Sequence, residues 1–542
     1  MMSGIGGWKN VALRLAAAFL LASMPAGSGF VHAAEGLPRK VAVVEGITEY
    51  RLDNGLRILL YPRAAQSVLT VSITYFAGAR SENPYETGIA HLLEHITFRG
   101  TRTYPDIRKR LDSHGATVGS SVSTDRTTYY EVLPATVENL AFGLNLEADR
   151  MQSCKFDSAD LLEEKAGIRE ELESLENDPT AALAGRLSAA AYAHHPFGRP
   201  VFGTLADLDR ISIERVREFY RMHYRPDNAL LVVTGNFDSR AALLLIQKLF
   251  GPIVPRPEAG IGGTQVAVSG GDRAVTVYQP GGPAVIGLLY RGPAASQEDF
   301  AAVEAVVNLL LAEPSGPMYR ALVAAGMVNR IGGGVTARAD SSSIQIFASV
   351  REGVAVDAAR DRMIRAIEEF ASGRIRRAEL EKFRNAAVGD IDNSLNDSER
   401  SAIELSGWAV IGDWRWALGH RDRWRRVTES QVRSAAAATF IPAHRTVGLM
   451  IPNPADEPGA AEQPELAEQP ADTPEESPLP DTPDAQAMTE GVSDEDSAVD
   501  LSEMPETPVL DSPAGRGESV SQDSVAAQAE AMEWQSSWTE LR

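Results

Sequence analysis

The segment Gly88-Ile-Ala-His91-Leu-Leu-Glu94-His95 holds two imidazoles and a carboxylate in the order His-x-x-Glu-His. On a helix, residues four apart lie about 40° apart around the axis, so His91 and His95 can reach one metal ion. Glu94, about 100° from His95, sits at the rim of the same face. There it could hold a water beside the metal and take its proton. Chance would produce such a pattern in a chain of this composition roughly two times in a hundred, so the motif alone is a pointer. A hydrolytic zinc site needs a third protein ligand and an open position for water. The carboxylate-rich stretch Leu161–Glu176 (LLEEKAGIREELESLE) can supply it. Glu163, Gly167, Glu170 and Ser174 form one stripe of a helix, and the glycine between two carboxylates would permit close approach to the histidine helix. Any one of these acids alone reads equally well as part of a solvated face.

The elements that must position these groups follow from periodicity. Glu49–Leu52, the turn Asp53-Asn54-Gly55 and Leu56–Tyr61 read as a hairpin, and Val68–Phe76 alternates as a strand. Helical patterns cover about 87–98, 105–114, 134–151, 158–176 and 181–193, and Ala229–Thr234 returns as a strand before a helix at 239–250. A Gly- and Pro-rich stretch, residues 256–272, reads as a linker. The second unit has strands at 275–278, 284–290, 333–337, 343–350 and 446–451, with helices at 298–311, 354–371 and 377–395. Hairpins mixed with helices, without strict alternation, predict an α+β fold with mainly antiparallel sheets packed by helices. The similar order of elements in residues 38–255 and 273–452 points to an internal duplication.

The segment Gly88–Thr101 (GIAHLLEHITFRGT) resembles the signature of the pitrilysin and mitochondrial-processing-peptidase family, whose zinc motif is inverted to His-x-x-Glu-His. Phe76–Arg80, Asp125–Tyr130, Asn177-Asp-Pro179, His195–Pro200 and Gly412-Asp-Trp also look like family positions, and the similarity spans roughly 40–452. The resemblance implies two homologous α/β domains around a cavity and peptide cleavage with Zn2+. It places a third ligand some 75 residues downstream, seven positions after another acid. Glu170 fits that spacing, with Glu163 before it. By resemblance His91, His95 and Glu170 bind zinc, Glu94 is the general base and Glu163 supports the site, with Glu171 as the fallback ligand. Pro196–Pro200 reads as a structural loop.

Two positions depart from the family pattern. Gly119-Ser120 stands where many members have Asn-Ala on the edge strand that pairs with substrate. Residues 273–452 contain no Arg-x6-Tyr, the pair that stabilises the developing oxyanion in members that act alone. The expectation is that a homologous partner subunit supplies those donors; a homodimer would lack them.

The ends of the chain have their own character. Of the 542 residues 74 are acidic and 52 basic, a net −22, yet residues 455–542 hold 23 acids against two bases. The remainder is nearly neutral, so the acidity excludes nothing about the body. That tail, with ten of the 31 prolines, reads as disordered, and Trp534 and Trp538 near its end could share one helix face. Residues 1–33 read as a signal peptide, with Lys9 and Arg14, an apolar run Leu15–Met24 and small residues before the break at Ala33. The lone Cys154 can form no intramolecular disulfide. A periplasmic or secreted protein is expected. The leading function is a zinc endopeptidase or oligopeptidase acting with a homologous subunit. The rivals are a non-catalytic subunit that binds peptides or scaffolds a partner, and a metallohydrolase of non-peptide substrates.

Overall fold

The computed structural model describes residues 37–193, 195–255 and 273–453. The signal peptide at 1–33, the linker at 256–272 and the acidic tail at 455–542, with Trp534 and Trp538, lie outside the described residues. The architecture is α+β, with two sheets covered by helices.

The first sheet contains β1 (Arg39–Val44), β2 (Ile47–Arg51), β3 (Arg57–Pro62), β4 (Val68–Tyr75), β5 (Thr117–Val122), β6 (Thr127–Pro134) and β7 (Ala229–Gly235). Their spatial order is β1-β2-β3-β7-β4-β6-β5. The second contains β8 (Arg273–Gln279), β9 (Val285–Arg291), β10 (Val328–Thr336), β11 (Ser343–Val350) and β12 (Arg445–Pro452), in the order β10-β11-β9-β12-β8. One junction in each sheet is parallel, β3 with β7 and β8 with β12; the other pairings are antiparallel. Read from the parallel junction, β3-β7-β4-β6-β5 and β8-β12-β9-β11-β10 have the same connectivity. The two halves therefore share one topology, to which the first adds the β1–β2 hairpin.

The halves also trade helices. The helix Ser158–Asn177 ends at Asp178, whose side chain accepts from the N–H groups of Thr180 and Ala181 and so caps a second helix, Pro179–Ala191. The proline at that helix's first position has no N–H to leave unsatisfied. Asp397 repeats the device between Arg377–Asn396 and Ser398–Ile411 by accepting from Arg400 N–H. In each case the second helix of the pair crosses to the other half. Leu183 and Leu187 of the 179–191 helix pack on Val285, Leu289 and Met450 of the second sheet. Ala402, Leu405 and Trp408 of the 398–411 helix pack with Leu59, Leu230 and Val232 of the first. There the Thr70 hydroxyl donates to Ser398 Oγ at 2.9 Å, and Thr234 to the Ser398 carbonyl. Trp414 is fully buried and donates from its indole to Glu49 on β2 at 2.9 Å, which gives the Gly412-Asp-Trp segment a structural role across the halves.

Close approach of the 179–191 helix needs glycine in the two strands beneath it. A Cβ on Gly287 would lie 2.6 Å from Leu187 Cδ1 and 2.9 Å from Phe347 Cε1, and one on Gly448 2.8 Å from Leu183 Cδ1. Gly167 does not have the role expected of it. Nothing lies within 4 Å of a Cβ there, and it is exposed on its helix, not pressed against another. No helix of the described residues is long and apolar enough to cross a membrane.

Gly287→Val should overpack the exchanged helix and cost about 1–3 kcal/mol in urea unfolding. Gly185→Ala, on the open side of the same helix where nothing lies within 4 Å of a Cβ, should be neutral or stabilising by up to about 1 kcal/mol.

Candidate metal centre

The motif helix runs from Ile89 to Ile96, and Ile89, Ala90, Leu92, Leu93 and Ile96 are all buried in the core of the first half. Its start is held from two sides. Gly88 adopts φ +90° and Gly203 φ +88°, and the two backbones touch: a Cβ on Gly88 would meet Phe202 O at 2.7 Å, one on Gly203 Thr87 O at 2.4 Å. The Glu82 carboxylate takes the N–H groups of Gly88 and Ala90, each at 3.0 Å, in place of a capping side chain. Arg199 donates to the Glu82 carbonyl at 2.6 Å, so the His195–Pro200 segment supports the helix start. Burial pushes the Glu82 carboxyl from its ordinary 4.5 up to about 8 against the pull of those two N–H bonds.

The two histidines point into one space. His91 Nε2 and His95 Nε2 are 3.1 Å apart. Glu171, only 6 % exposed, brings its oxygens to 3.4 Å from His91 Nε2 and 3.8 Å from His95 Nε2. The donor atoms of His91, His95 and Glu171 all fall within 4.8 Å of one another. Four ligands at zinc distances stand about 3.3 Å apart, so the spacing suits that ion. The donor chemistry agrees: two facing imidazole nitrogens cannot both carry a proton, and a cation between them resolves the conflict. His91 Nδ1 is buried and makes no hydrogen bond. His95 Nδ1 is 3.1 Å from Glu164, an arrangement that fixes the ring and leaves Nε2 to face the centre. Burial pulls the His95 imidazolium down, but the Glu164 hydrogen bond and the charges of Glu94, Glu171 and Glu164 outweigh it, and the net shift is upward. Burial pushes Glu164 up, while its bonds to His95 and Arg99 bring it below the usual carboxylate range.

Two expected positions are corrected by one residue. Glu170 is exposed and outside the cluster, and Glu171 stands in its place. Glu163 is 68 % exposed and pairs with Arg99 at 3.1 Å, whereas Glu164 reaches His95. The cause is the rotation of the 158–177 helix, whose inward stripe is Leu161, Ile168, Leu172 and Leu175. Glu164 and Glu171 fall within that stripe, and one step along a helix turns a side chain by about 100° out of it. The apolar register was present in the sequence and outranks the spacing borrowed from the resemblance.

Glu94 is buried beside the cluster but is not one of its three donors. Beneath it lie Tyr129 and Tyr224, with hydroxyls 2.6 Å apart, and Tyr75 stacked on Tyr224 at 3.9 Å. Burial, followed by the charge of Glu94, holds the Tyr129 phenol far above its usual range, so it stays a donor. Phe202 sets its ring edge-on to His91, centroids 4.9 Å apart. Arg99 lies within the Gly88–Thr101 segment without being singled out there, and Glu82 and Phe202 carried no signal beyond their nearness to family-like segments.

Comparison with known proteins identifies the family. Residues 57–205 match the family model described as Insulinase (Peptidase family M16), and residues 210–387 match Peptidase M16 inactive domain. The two matches together span more than half of the chain, which belongs to the M16 peptidase family. The zinc protease PqqE of Helicobacter pylori is 26% identical over 391 residues, 71% of this chain and 86% of that protein. Uncharacterized zinc proteases of Mycobacterium leprae and Bacillus subtilis are 30% and 31% identical, over 39% and 38% of this chain and about half of their own length. Among solved structures, a protease from Helicobacter pylori aligns with TM-score 0.71 and 24% identity, covering 77% of this chain and all of that one. The periplasmic protease PqqL of Escherichia coli aligns with TM-score 0.61 and 18% identity, over 78% of this chain and 49% of PqqL.

Glu171→Gln should strip the protein of stoichiometric zinc on dialysis, whereas Glu170→Gln should leave the metal content unchanged. Glu164→Gln should weaken zinc about 10–100-fold in chelator competition. Glu82 generates a pH effect of defined sign. Between about 4.5 and 8 the native state keeps a proton that the unfolded chain has released, so stability falls as pH rises through that window. Glu82→Gln should flatten that slope in denaturation curves taken from pH 4.5 to 8.

Proposed function

We propose that this protein is a zinc endopeptidase or oligopeptidase, exported to the periplasm or secreted. The observation that carries the reading is the convergence of His91, His95 and Glu171 with Glu94 beside them. Zinc, when bound, would supply Lewis-acid polarisation of the scissile carbonyl and of water. Glu94 then has two tasks: its carboxylate takes a proton from the attacking water, and its carboxylic acid returns that proton to the leaving amine. Glu164 and Arg99 hold His95 in the orientation that turns Nε2 to the centre. Strand β5 is one of the two edge strands of its sheet and neighbours the motif helix, so an extended peptide can add there as a further strand.

A second M16-like subunit belongs to this reading, because residues 273–452 lack an Arg-x6-Tyr pair of oxyanion donors. Export rests on the N-terminal sequence, and the PqqL neighbour is itself a periplasmic protease. PqqL also supports pairing of units, since this chain aligns with only half of it. The missing donor pair equally favours the second reading, a non-catalytic peptide-binding or scaffolding subunit, which would carry no stoichiometric zinc.

Quenched peptide libraries, with metal analysis alongside, test the proposal. The wild-type protein, supplied with its co-purified homologous subunit, should cleave. Glu94→Gln should retain zinc and lose at least 10²–10⁴-fold in turnover. Undiminished cleavage by that variant removes the mechanism, and a zinc-free wild-type protein supports the scaffolding reading.

A further inference from the structure

The departure at Gly119 has a structural counterpart in Tyr130. Among the described strands β5 pairs only with β6, in the register Thr117–Val132, Gly119–Tyr130 and Ser121–Thr128 on one face of the sheet. The alternate pairs, Val118–Glu131 and Ser120–Tyr129, share the other face, where Glu131 and Tyr129 are wholly buried. Tyr130 is half-buried and its ring lies across the glycine. A Cβ built on Gly119 would fall 2.2 Å from Tyr130 Oη and 2.3 Å from Cζ. Adjacent strands are about 4.8 Å apart, so a ring that leaves β6 and covers Gly119 ends with its hydroxyl at the open edge of the sheet. Thr117 and Ser121 point to the same face, two residues away on either side. The edge thus presents three hydroxyls in a row, and residue 119 adds no side chain of its own.

We propose that Tyr130 is a specificity-determining residue for extended peptides added to β5. It contacts the side chain of the peptide residue lying opposite Gly119. The Thr117–Tyr130–Ser121 row selects small or hydrogen-bonding side chains there over branched aliphatic ones. The argument rests on the peptidase reading above for its substrate class. Directly opposed residues on neighbouring strands have Cβ atoms about 4.5–5.5 Å apart, which brings the peptide side chain against the phenol. A branched aliphatic group against the phenol would strip water from the Thr117 and Ser121 hydroxyls on either side and give no hydrogen bond in return.

The test compares wild type, Tyr130→Ala, Tyr130→Phe and Gly119→Ala on a quenched library randomised at each position. Zinc content and thermal midpoint are measured for each protein. Tyr130→Ala should flatten the preference at one position, raise KM for preferred peptides about tenfold and change kcat less than threefold. Tyr130→Phe, which keeps the ring, should lose only the preference for hydrogen-bonding side chains. Gly119→Ala must push the ring aside and should disturb the same position. A library profile in Tyr130→Ala that superimposes on that of a cleaving wild type overturns the assignment of Tyr130 alone. Fluorescence titration of peptides carrying serine or threonine at successive positions against Glu94→Gln, with and without Tyr130→Ala, reads the contact without turnover. Tenfold weaker binding of the double variant, found with a wild type that cleaves nothing, supports the Tyr130 contact and defeats the peptidase reading. Equal binding in both proteins overturns the contact.

Discussion

The rotation of one helix about its own axis decides which carboxylates face the two histidines. Leu161, Ile168, Leu172 and Leu175 must enter the core of the first half, and burying such side chains is worth about 1.5–3 kcal/mol each. No arrangement of surface carboxylates competes with that sum. The apolar stripe therefore fixes the helix, and the two acids within it, Glu164 and Glu171, are carried inward to the histidines. Their neighbours Glu163 and Glu170 are left at the surface. A buried carboxylate is costly unless it is paired, and the two imidazoles and Arg99 provide the pairing.

The floor of the site follows the same logic. Arg150 is wholly buried between Glu131 and Glu147, with its guanidinium over the rings of Phe98 and Tyr129. The Tyr75, Tyr129 and Tyr224 phenols separate that ionic cluster from Glu94. They stay protonated because burial raises all three, so they can donate hydrogen bonds without placing another anion next to Glu94.

Much of this was legible from composition and period. The Asp53-Asn54-Gly55 turn, with Gly55 at φ +95°, the His-x-x-Glu-His helix and the repeated order of strands all declare themselves locally. Other parts gave no local signal. The 398–411 helix (SERSAIELSGWAVI) has a weakly one-sided pattern because the first sheet takes one flank and helical neighbours the other. Periodicity marks faces, and this helix keeps only a narrow solvent stripe, in which Arg400 alone is exposed. The acid that faces the histidines, Glu171 and not Glu170, differs from the expected one for another reason: a spacing tolerates a slip that a helical stripe does not. Tyr130 could not be read as a partner of Gly119 until the register of β5 against β6 was known.

The exchange of helices between the halves bears on how the chain comes to be folded at all. The first sheet presents Leu59, Leu230 and Val232 on the side that residues 398–411 eventually cover, contacts separated by well over a hundred positions in sequence. At synthesis rates of about 5–20 residues per second, that apolar surface waits on the order of ten seconds or more for its cover. Loop closure over such a separation must precede the gain from burial, which places this topology among the slower folders. Neither half can be cut away as a self-sufficient module, because each carries a helix the other needs. For a chain expected to leave the cytoplasm, that interval is also one in which the polypeptide stays unfolded enough to be threaded across a membrane.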